Sequence, residues 1–191
     1  DTCTQIFLDT NGHIEPMVRA ILTADAFRHG AHFRTKIKSP LELVAEMGRT
    51  WDIEPDYYQL VDRMNGMGQL PFSYPVPTGW SELGEDWISS GTMMQRIRFG
   101  NELALFTGWW DSSFNAQAFL RENGLEAPEA IVSFVLDLLL DEDYTRTEYE
   151  ATLAILNAEG AYEIAPTECD PDVPLRRMIG FAMSLPGYQY Q

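Results

Sequence analysis

The sequence contains little cysteine, and the cysteines it has form no motif. Two are present among 191 residues, Cys3 and Cys169, near opposite ends of the chain. They show neither the Cys-x-x-Cys spacing nor the histidine-rich spacing of a metal site. Two alternatives stay open: the pair forms one disulfide in an exported protein, or the two are unrelated thiols.

Basic residues are also scarce. Thirteen lysines and arginines stand against 29 acidic residues, which gives a formal net charge of −16 and a pI near 4.4. A chain with this charge repels polyanions, so we expect no nucleic-acid partner.

No apolar run is long enough to cross a bilayer. The longest, residues 130–140, contains Asp137 and is shorter than the roughly 20 residues that a transmembrane helix needs. We therefore expect no membrane span, and no signal-peptide pattern is present. The chain begins at Asp1 without an initiator Met, which leaves open an expressed portion, a mature form or a processed fragment.

Motifs for nucleophilic catalysis and phosphate binding are missing. There is no Gly-x-Ser-x-Gly elbow, and the pair Ser89 and Ser90 has no histidine nearby. Gly66, Gly68 and Gly79 are spaced for bends rather than for a phosphate loop. We therefore expect no cofactor and assign no catalytic residue.

Helix signals are abundant, whereas strand signals hardly occur. Hydrophobic residues make up 45% and charged residues 22% of the chain, a composition typical of a globular protein. Ser39 with Glu42, and Thr145 with Glu148, have capping-box spacing, and apolar residues recur at the helical period after each. We predict an all-α fold over residues 1–191, a single domain forming an irregular bundle of roughly eight helices.

Two long helices are predicted in the second half of the chain. The helix that begins at Pro128 is apolar around most of its circumference, so we expect it to be buried. Residues 87–106 have the pattern of a helix with Met94 facing inward and Arg96 facing solvent. Asn101 lies near the apolar face, where we expect a buried and hydrogen-bonded amide.

One stretch without charge interrupts the helices. Residues 67–80, MGQLPFSYPVPTGW, hold three prolines and three aromatic residues. The Pro-Val-Pro sequence favours an extended polyproline conformation, and a solvated linker would not carry so many apolar side chains. We predict that residues 70–80 form an ordered strap, buried against the helices that begin near Ser39 and Glu85. A docking site for a partner is the alternative.

Four stretches of the sequence resemble a known family. They are IEPMVRAILTADAF, KIKSPLELVAEMGRT, MGQLPFSYPVPTGWSELGEDWISSGTMMQRIRFGNEL and GFAMSLPGYQYQ. In this order they resemble the C-terminal part of a large uncharacterised bacterial family, domain of unknown function 1800. The closing Leu-Pro-Gly-Tyr-Gln departs from the family's Ser-Pro-x-Phe-Gln ending.

The resemblance implies an organisation but no reaction. Family members are longer, which implies that residues 1–191 are the C-terminal portion of a longer protein. Many members look exported, which favours an extracytoplasmic location, in the periplasm or at the cell surface. No catalytic residue can be carried over. Arg96 and Asn101 match polar positions of the family pattern, where a ligand contact is the alternative to a structural role.

One histidine pair invites a metal-site hypothesis. Asp25, His29 and His32 would share a face of a continuous helix, which is conceivable metal-site geometry. However, Gly30 is expected to end the helix, the neighbouring residues are basic, and no fourth ligand is indicated. We therefore predict two solvated histidines and no bound metal.

Three acidic residues lie between Trp80 and Trp87. Glu82, Glu85 and Asp86 resemble the paired carboxylates of a glycoside hydrolase cleft, where tryptophan rings stack on sugars. The first turn of a helix also favours acids, and we prefer that explanation for Glu85 and Asp86.

We predict a structural or protein-interaction helical module without assigned catalytic activity. Its leading partner is the protein's own amino-terminal region, and a further protein or carbohydrate partner is possible. A hydrolase or a carbohydrate-binding module is the alternative. The candidate ligand or partner contacts are Trp80, Glu85, Asp86, Trp87, Arg96 and Asn101.

Overall fold

A computed structural model describes residues 2–51, 57–105, 116–158 and 173–191. These residues form nine α-helices and no β-strand, which confirms the all-α prediction. None of these helices combines the length and the apolarity needed to cross a bilayer. The helices are α1 (Thr2–Asp9), α2 (Ile14–Thr23), α3 (Pro40–Thr50), α4 (Tyr57–Gly66), α5 (Ser90–Leu105), α6 (Ala116–Glu122), α7 (Pro128–Leu140), α8 (Arg146–Leu156) and α9 (Val173–Ala182).

The chain divides into two compact units. The first consists of Asp1–Lys36 with Gln191, and the second is Ile37–Tyr190. In the first unit, α1 and α2 pack against each other as a short helical hairpin. Neither helix contains a buried residue. The expectation of a single domain over the whole chain stays a prediction.

The second unit holds the hydrophobic core. Helix α9 packs against α5, α7 and α8, and α4 packs against α3 and α5. The predicted burial of α7 is confirmed, since about half of its residues are buried and it packs against α8 and α9. Its buried residues are Ile131, Val132, Val135, Leu136, Leu139 and Leu140.

Helix α3 begins where its sequence predicts. Ser39 Oγ accepts a hydrogen bond from the Glu42 amide at 3.3 Å, and the Glu42 carboxylate accepts one from the Ser39 amide at 2.7 Å. Pro40 occupies the first helical position, where no amide hydrogen is needed. The same reciprocal bonds join Thr145 and Glu148 at the start of α8. Both predicted capping boxes are confirmed.

Helices α5 and α9 approach closely because each presents a glycine at the contact. A Cβ atom at Gly100 would lie 3.3 Å from Met183 Cβ, and one at Gly180 would lie 3.0 Å from Asn101 Oδ1. Asn101 is half-buried, and its amide nitrogen donates to the Ile97 carbonyl at 2.9 Å and to Ser184 Oγ at 3.0 Å. Asn101 therefore helps to hold the two helices together.

The predicted start of α5 and the predicted orientation of Met94 and Arg96 are wrong. The helix begins at Ser90, after a short 3₁₀ turn at Gly84–Trp87, and not at Trp87. Met94 is exposed and Arg96 is fully buried. Apolar periodicity alone favours an inward Met94, whereas the close contact with α9 at Gly100 turns the Arg96 side of the helix toward the core.

The prediction that residues 70–80 form a buried strap is also wrong. Phe72 and Val76 are exposed, and only Leu70, Pro71 and Trp80 are half-buried. The backbone of Phe72 lies in the left-handed region, with φ of 61°, and its ring is entirely in solvent. Apolar composition predicts burial but does not reveal such a backbone turn.

Candidate functional site

A surface pocket lies beside the uncharged stretch. We call it the aromatic pocket; its volume is about 370 Å³. Its position depends on a bond between two helices, because Gln69 Oε1, just after α4, accepts a hydrogen bond from the Leu41 amide at the start of α3 at 2.8 Å. The residues that line the aromatic pocket are Leu41, Gln69, Pro71, Phe72, Tyr74 and Trp80.

Three aromatic rings form a chain at one side of this pocket. The Tyr74 and Trp80 centroids lie 4.7 Å apart with the ring planes inclined by 61°, and the Trp80 and Trp87 centroids lie 6.0 Å apart with an inclination of 48°. Trp87 is buried and Trp80 is half-buried. The two tryptophans therefore do not form the exposed, coplanar platform on which a sugar stacks.

The acidic residues of this region do not enter the aromatic pocket. Glu82, Glu85 and Asp86 are all exposed, and none of them is a lining residue. Ser81 Oγ donates a hydrogen bond to the Asp86 carboxylate. Glu85 and Asp86 lie in the first turn of a 3₁₀ helix and not of α5. The aromatic pocket is lined by no pair of carboxylates for acid–base chemistry.

A cluster of polar side chains lies inside the core. We call it the polar clasp, and it consists of Lys38, Glu46, Arg96, Tyr188 and Gln189. Lys38 Nζ donates to Glu46 Oε1 at 2.7 Å and to the Tyr188 carbonyl at 2.9 Å. The same ammonium lies 4.1 Å from the centroid of the Tyr188 ring, within the range of a cation–π interaction.

Arg96 completes the polar clasp from α5. It donates to the Lys38 carbonyl at 2.7 Å and to Gln189 Oε1 at 3.3 Å. Burial lowers the pKa of Arg96 to about 10, so its guanidinium stays protonated at neutral pH. Burial also raises the pKa of Tyr188 well above 10, and the negative charge of Glu46 adds to the effect. The clasp joins the end of the chain to α3 and α5, which is a structural role.

The sequence pattern indicates Arg96 as a candidate contact but does not indicate its partners. Lys38 and Tyr188 stand 150 residues apart in the chain, and Arg96 and Lys38 stand 58 apart. No local pattern distinguishes Lys38 from the nearby Lys36, since only the tertiary fold brings its partners together.

The other candidate residues lie outside the aromatic pocket and the polar clasp. Cys3 is on α1, and Cys169 falls outside the described residues, so the disulfide stays a prediction. Asp25, His29 and His32 do not share one helix, because α2 ends at Thr23 and His29 Nδ1 accepts a hydrogen bond from the Ala31 amide at a separate 3₁₀ turn. No group of three potential metal ligands forms within the described ranges. The absence of a metal stays a prediction.

A match to a family model shows the family to which this chain belongs. One model, described as protein of unknown function DUF1800, matches residues 1–190. This chain belongs to the DUF1800 family. No curated protein and no solved structure matches it. Membership in DUF1800 assigns no reaction, so a function for this DUF1800 chain has to be argued from its own geometry.

Proposed function

We propose that this DUF1800 chain is a structural, protein-interaction module of helices. The observation that supports the proposal is the open apolar side of α2. Ile14, Val18 and Leu22 recur at four-residue spacing, which places them on one face of the helix. All three are exposed, and they line a surface depression of about 530 Å³. Soluble monomers rarely expose a contiguous apolar patch of this kind, and such patches mark interaction sites.

The partner that we propose is the protein's own amino-terminal region. The family resemblance implies longer chains, and this region would reach α2 without needing an independent encounter in solution. An amphipathic helix with anchors at this spacing is recognised by laying its apolar face into a groove of the partner. Burying three large aliphatic side chains would contribute about 1.5–3 kcal/mol each.

A co-purification experiment tests this proposal. The polypeptide encoded upstream of residue 1 in the same reading frame is co-expressed as a separate, tagged chain. We expect it to retain the wild-type chain and to lose the Leu22→Glu variant, because a carboxylate on the apolar face would be buried without a partner. Leu138→Glu is the matched control, since Leu138 on α7 has a similar exposure, 46% against 50% for Leu22.

Two results would count against the proposal. One is a wild-type chain that does not co-purify, and the other is equal retention of the Leu22→Glu and Leu138→Glu variants. Far-UV circular dichroism of both variants checks that the helices are intact.

The hydrolase and carbohydrate-binding alternatives receive less support from the site. A hydrolase cleft needs Glu82, Glu85 or Asp86 to face a bound sugar beside Trp80, and the aromatic pocket is lined by none of the three. A sugar platform needs exposed parallel rings, and Trp87 is buried. We therefore favour the interaction module.

A further inference from the structure

The aromatic pocket combines an apolar wall with hydrogen-bond donors. Gln69 Oε1 is occupied by the Leu41 amide, which leaves the Nε2 hydrogens of Gln69 to donate elsewhere. Within the described ranges, neither Gln69 Nε2 nor the Trp80 indole N–H nor the Tyr74 hydroxyl has a hydrogen-bond partner. The pocket therefore offers donors to a ligand that supplies acceptors.

Phe72 forms an unusually exposed edge of this pocket. Its side chain is wholly in solvent, and its backbone adopts a left-handed conformation that aromatic residues rarely take. A ring in this position contributes nothing to packing inside the described chain, but it extends the apolar wall available to a ligand.

The charges near the pocket favour a cationic ligand. Residues 67–80 carry no charged side chain, and the exposed acids Glu82, Glu85 and Asp86 follow directly. Ser81 bonds to Asp86, and Trp80 contacts Trp87, so the Asp86 carboxylate lies next to the Trp80 end of the pocket. A net charge of −16 for the chain adds a field of the same sign.

We propose that the aromatic pocket binds a proline-rich segment of a partner protein in the polyproline II conformation, with Lys or Arg beside the prolines. Proline rings pack on aromatic faces, and a polyproline II segment leaves its carbonyl groups unpaired while its prolines have no amide hydrogen. These acceptors complement the donors of Gln69, Tyr74 and Trp80. Such a segment also binds with little loss of conformational entropy, because its conformation is largely preformed.

A sugar fits the same pocket less well. Its ring carries hydroxyl groups on every edge, which need acceptors as well as donors, whereas the pocket's polar side chains offer mainly donors and one lone pair of Gln69 Oε1 is already taken by Leu41. The inclined planes of Tyr74 and Trp80 also offer no flat stacking surface. The proposal concerns a surface of the second unit and goes beyond the interaction face on α2.

The test is a binding measurement with a defined peptide. A fluorescein-labelled peptide of about ten residues, rich in Pro and ending in two arginines, is titrated with the full chain while fluorescence anisotropy is recorded. We expect saturable binding that Phe72→Ala weakens by about tenfold or more. Because the Phe72 ring is wholly in solvent, this substitution leaves the fold intact. Phe27→Ala, at another exposed phenylalanine outside the pocket, is the matched control and should bind like the wild type.

Two further peptides make the result specific. Replacing the prolines with alanine should abolish binding. Replacing the arginines with glutamate should weaken binding and reverse its dependence on salt, because salt then screens a repulsion instead of an attraction. Trp80→Phe keeps a ring but loses the indole N–H, and we expect weaker binding by about tenfold.

Failure of the wild type to bind the peptide, equal binding of the alanine peptide, or displacement of the peptide by a neutral glucan oligosaccharide would overturn the proposal. The α2 variant Leu22→Glu should bind the peptide normally, so this result is independent of the proposed module function.

Discussion

Lys38 and Arg96 are two buried cations of the polar clasp. Lys38 is 3% exposed and Arg96 is fully buried, yet the carboxylate bonded in this cluster is Glu46 alone. The backbone carbonyls of Lys38 and Tyr188 and the side-chain oxygen of Gln189 accept the other hydrogen bonds of the polar clasp. Removing one member would leave buried polar groups without partners, which costs about 1–3 kcal/mol for each such group.

Tyr188 gives the polar clasp a dependence on alkaline pH. Its pKa is raised by burial and then by Glu46, so the folded state favours the neutral phenol. The unfolded chain releases the Tyr188 proton near pH 10, whereas the folded chain retains it to higher pH. The contribution of Tyr188 is therefore complete below pH 10 and is lost as the pH rises toward its folded-state pKa.

We expect Tyr188→Phe to gain stability relative to the wild type only above pH 10. The gain should approach about 1.4 kcal/mol per pH unit, the value for one proton, and Arg96 does not affect it because it is present in both proteins. Urea unfolding at about pH 8 and about pH 11 measures the difference. Tyr190→Phe, at an exposed position, is the control. A difference in stability that does not change with pH would contradict the assignment.

At the scale of helices, α5 and α9 depend on small residues at their contact. A Cβ atom on Gly180 would lie 3.0 Å from Asn101 Oδ1 and 3.2 Å from Ala104 Cβ, which is closer than ordinary van der Waals contact. Gly48 lies in the last turn of α3, and a Cβ atom there would meet nothing within 4 Å. The two positions separate the effect of packing from that of helix propensity.

The same substitution should have opposite effects at these two glycines. Gly48→Ala should stabilise the protein by about 0.5–1 kcal/mol, because alanine favours the helix. Gly180→Ala gains the same propensity but crowds α5 at a cost of about 1–3 kcal/mol, so we expect a net loss of roughly 1 kcal/mol. Chemical denaturation of the two variants measures both changes. Equal stabilisation of the two would show that α5 and α9 are not tightly packed at Gly180.

The starts of α3 and α8 could be predicted from the sequence, whereas the start and the orientation of α5 could not. The capping boxes at Ser39 and Thr145 join residues three positions apart, so the local sequence contains all the information. The orientation of α5 depends on its contact with α9, and the exposure of Phe72 depends on one backbone angle. Apolar periodicity describes neither of these, which is why Met94 and the buried strap were predicted wrongly.

At the scale of the whole molecule, the two units of this DUF1800 chain differ in packing. The second unit has a hydrophobic core, whereas the two helices of the first unit contain no buried residue. The second unit contains the core of α3, α4, α5, α7, α8 and α9. The helices of the first unit leave Phe7, Leu8, Ile14, Val18, Ile21 and Leu22 exposed. Composition predicted a globular helical chain, but it could not reveal that the apolar residues are divided so unevenly between the two units.

The central claim is that the apolar face of α2 receives a partner, and hydrogen exchange tests it most directly. Exchange of the backbone amides is followed by mass spectrometry with and without the polypeptide encoded upstream in the same reading frame. Covering the helix should suppress its local opening. We predict slower exchange in α2 (Ile14–Thr23) and unchanged exchange in the buried helix α7 (Pro128–Leu140). Unchanged exchange throughout α2 at saturating concentrations of that polypeptide would contradict the claim.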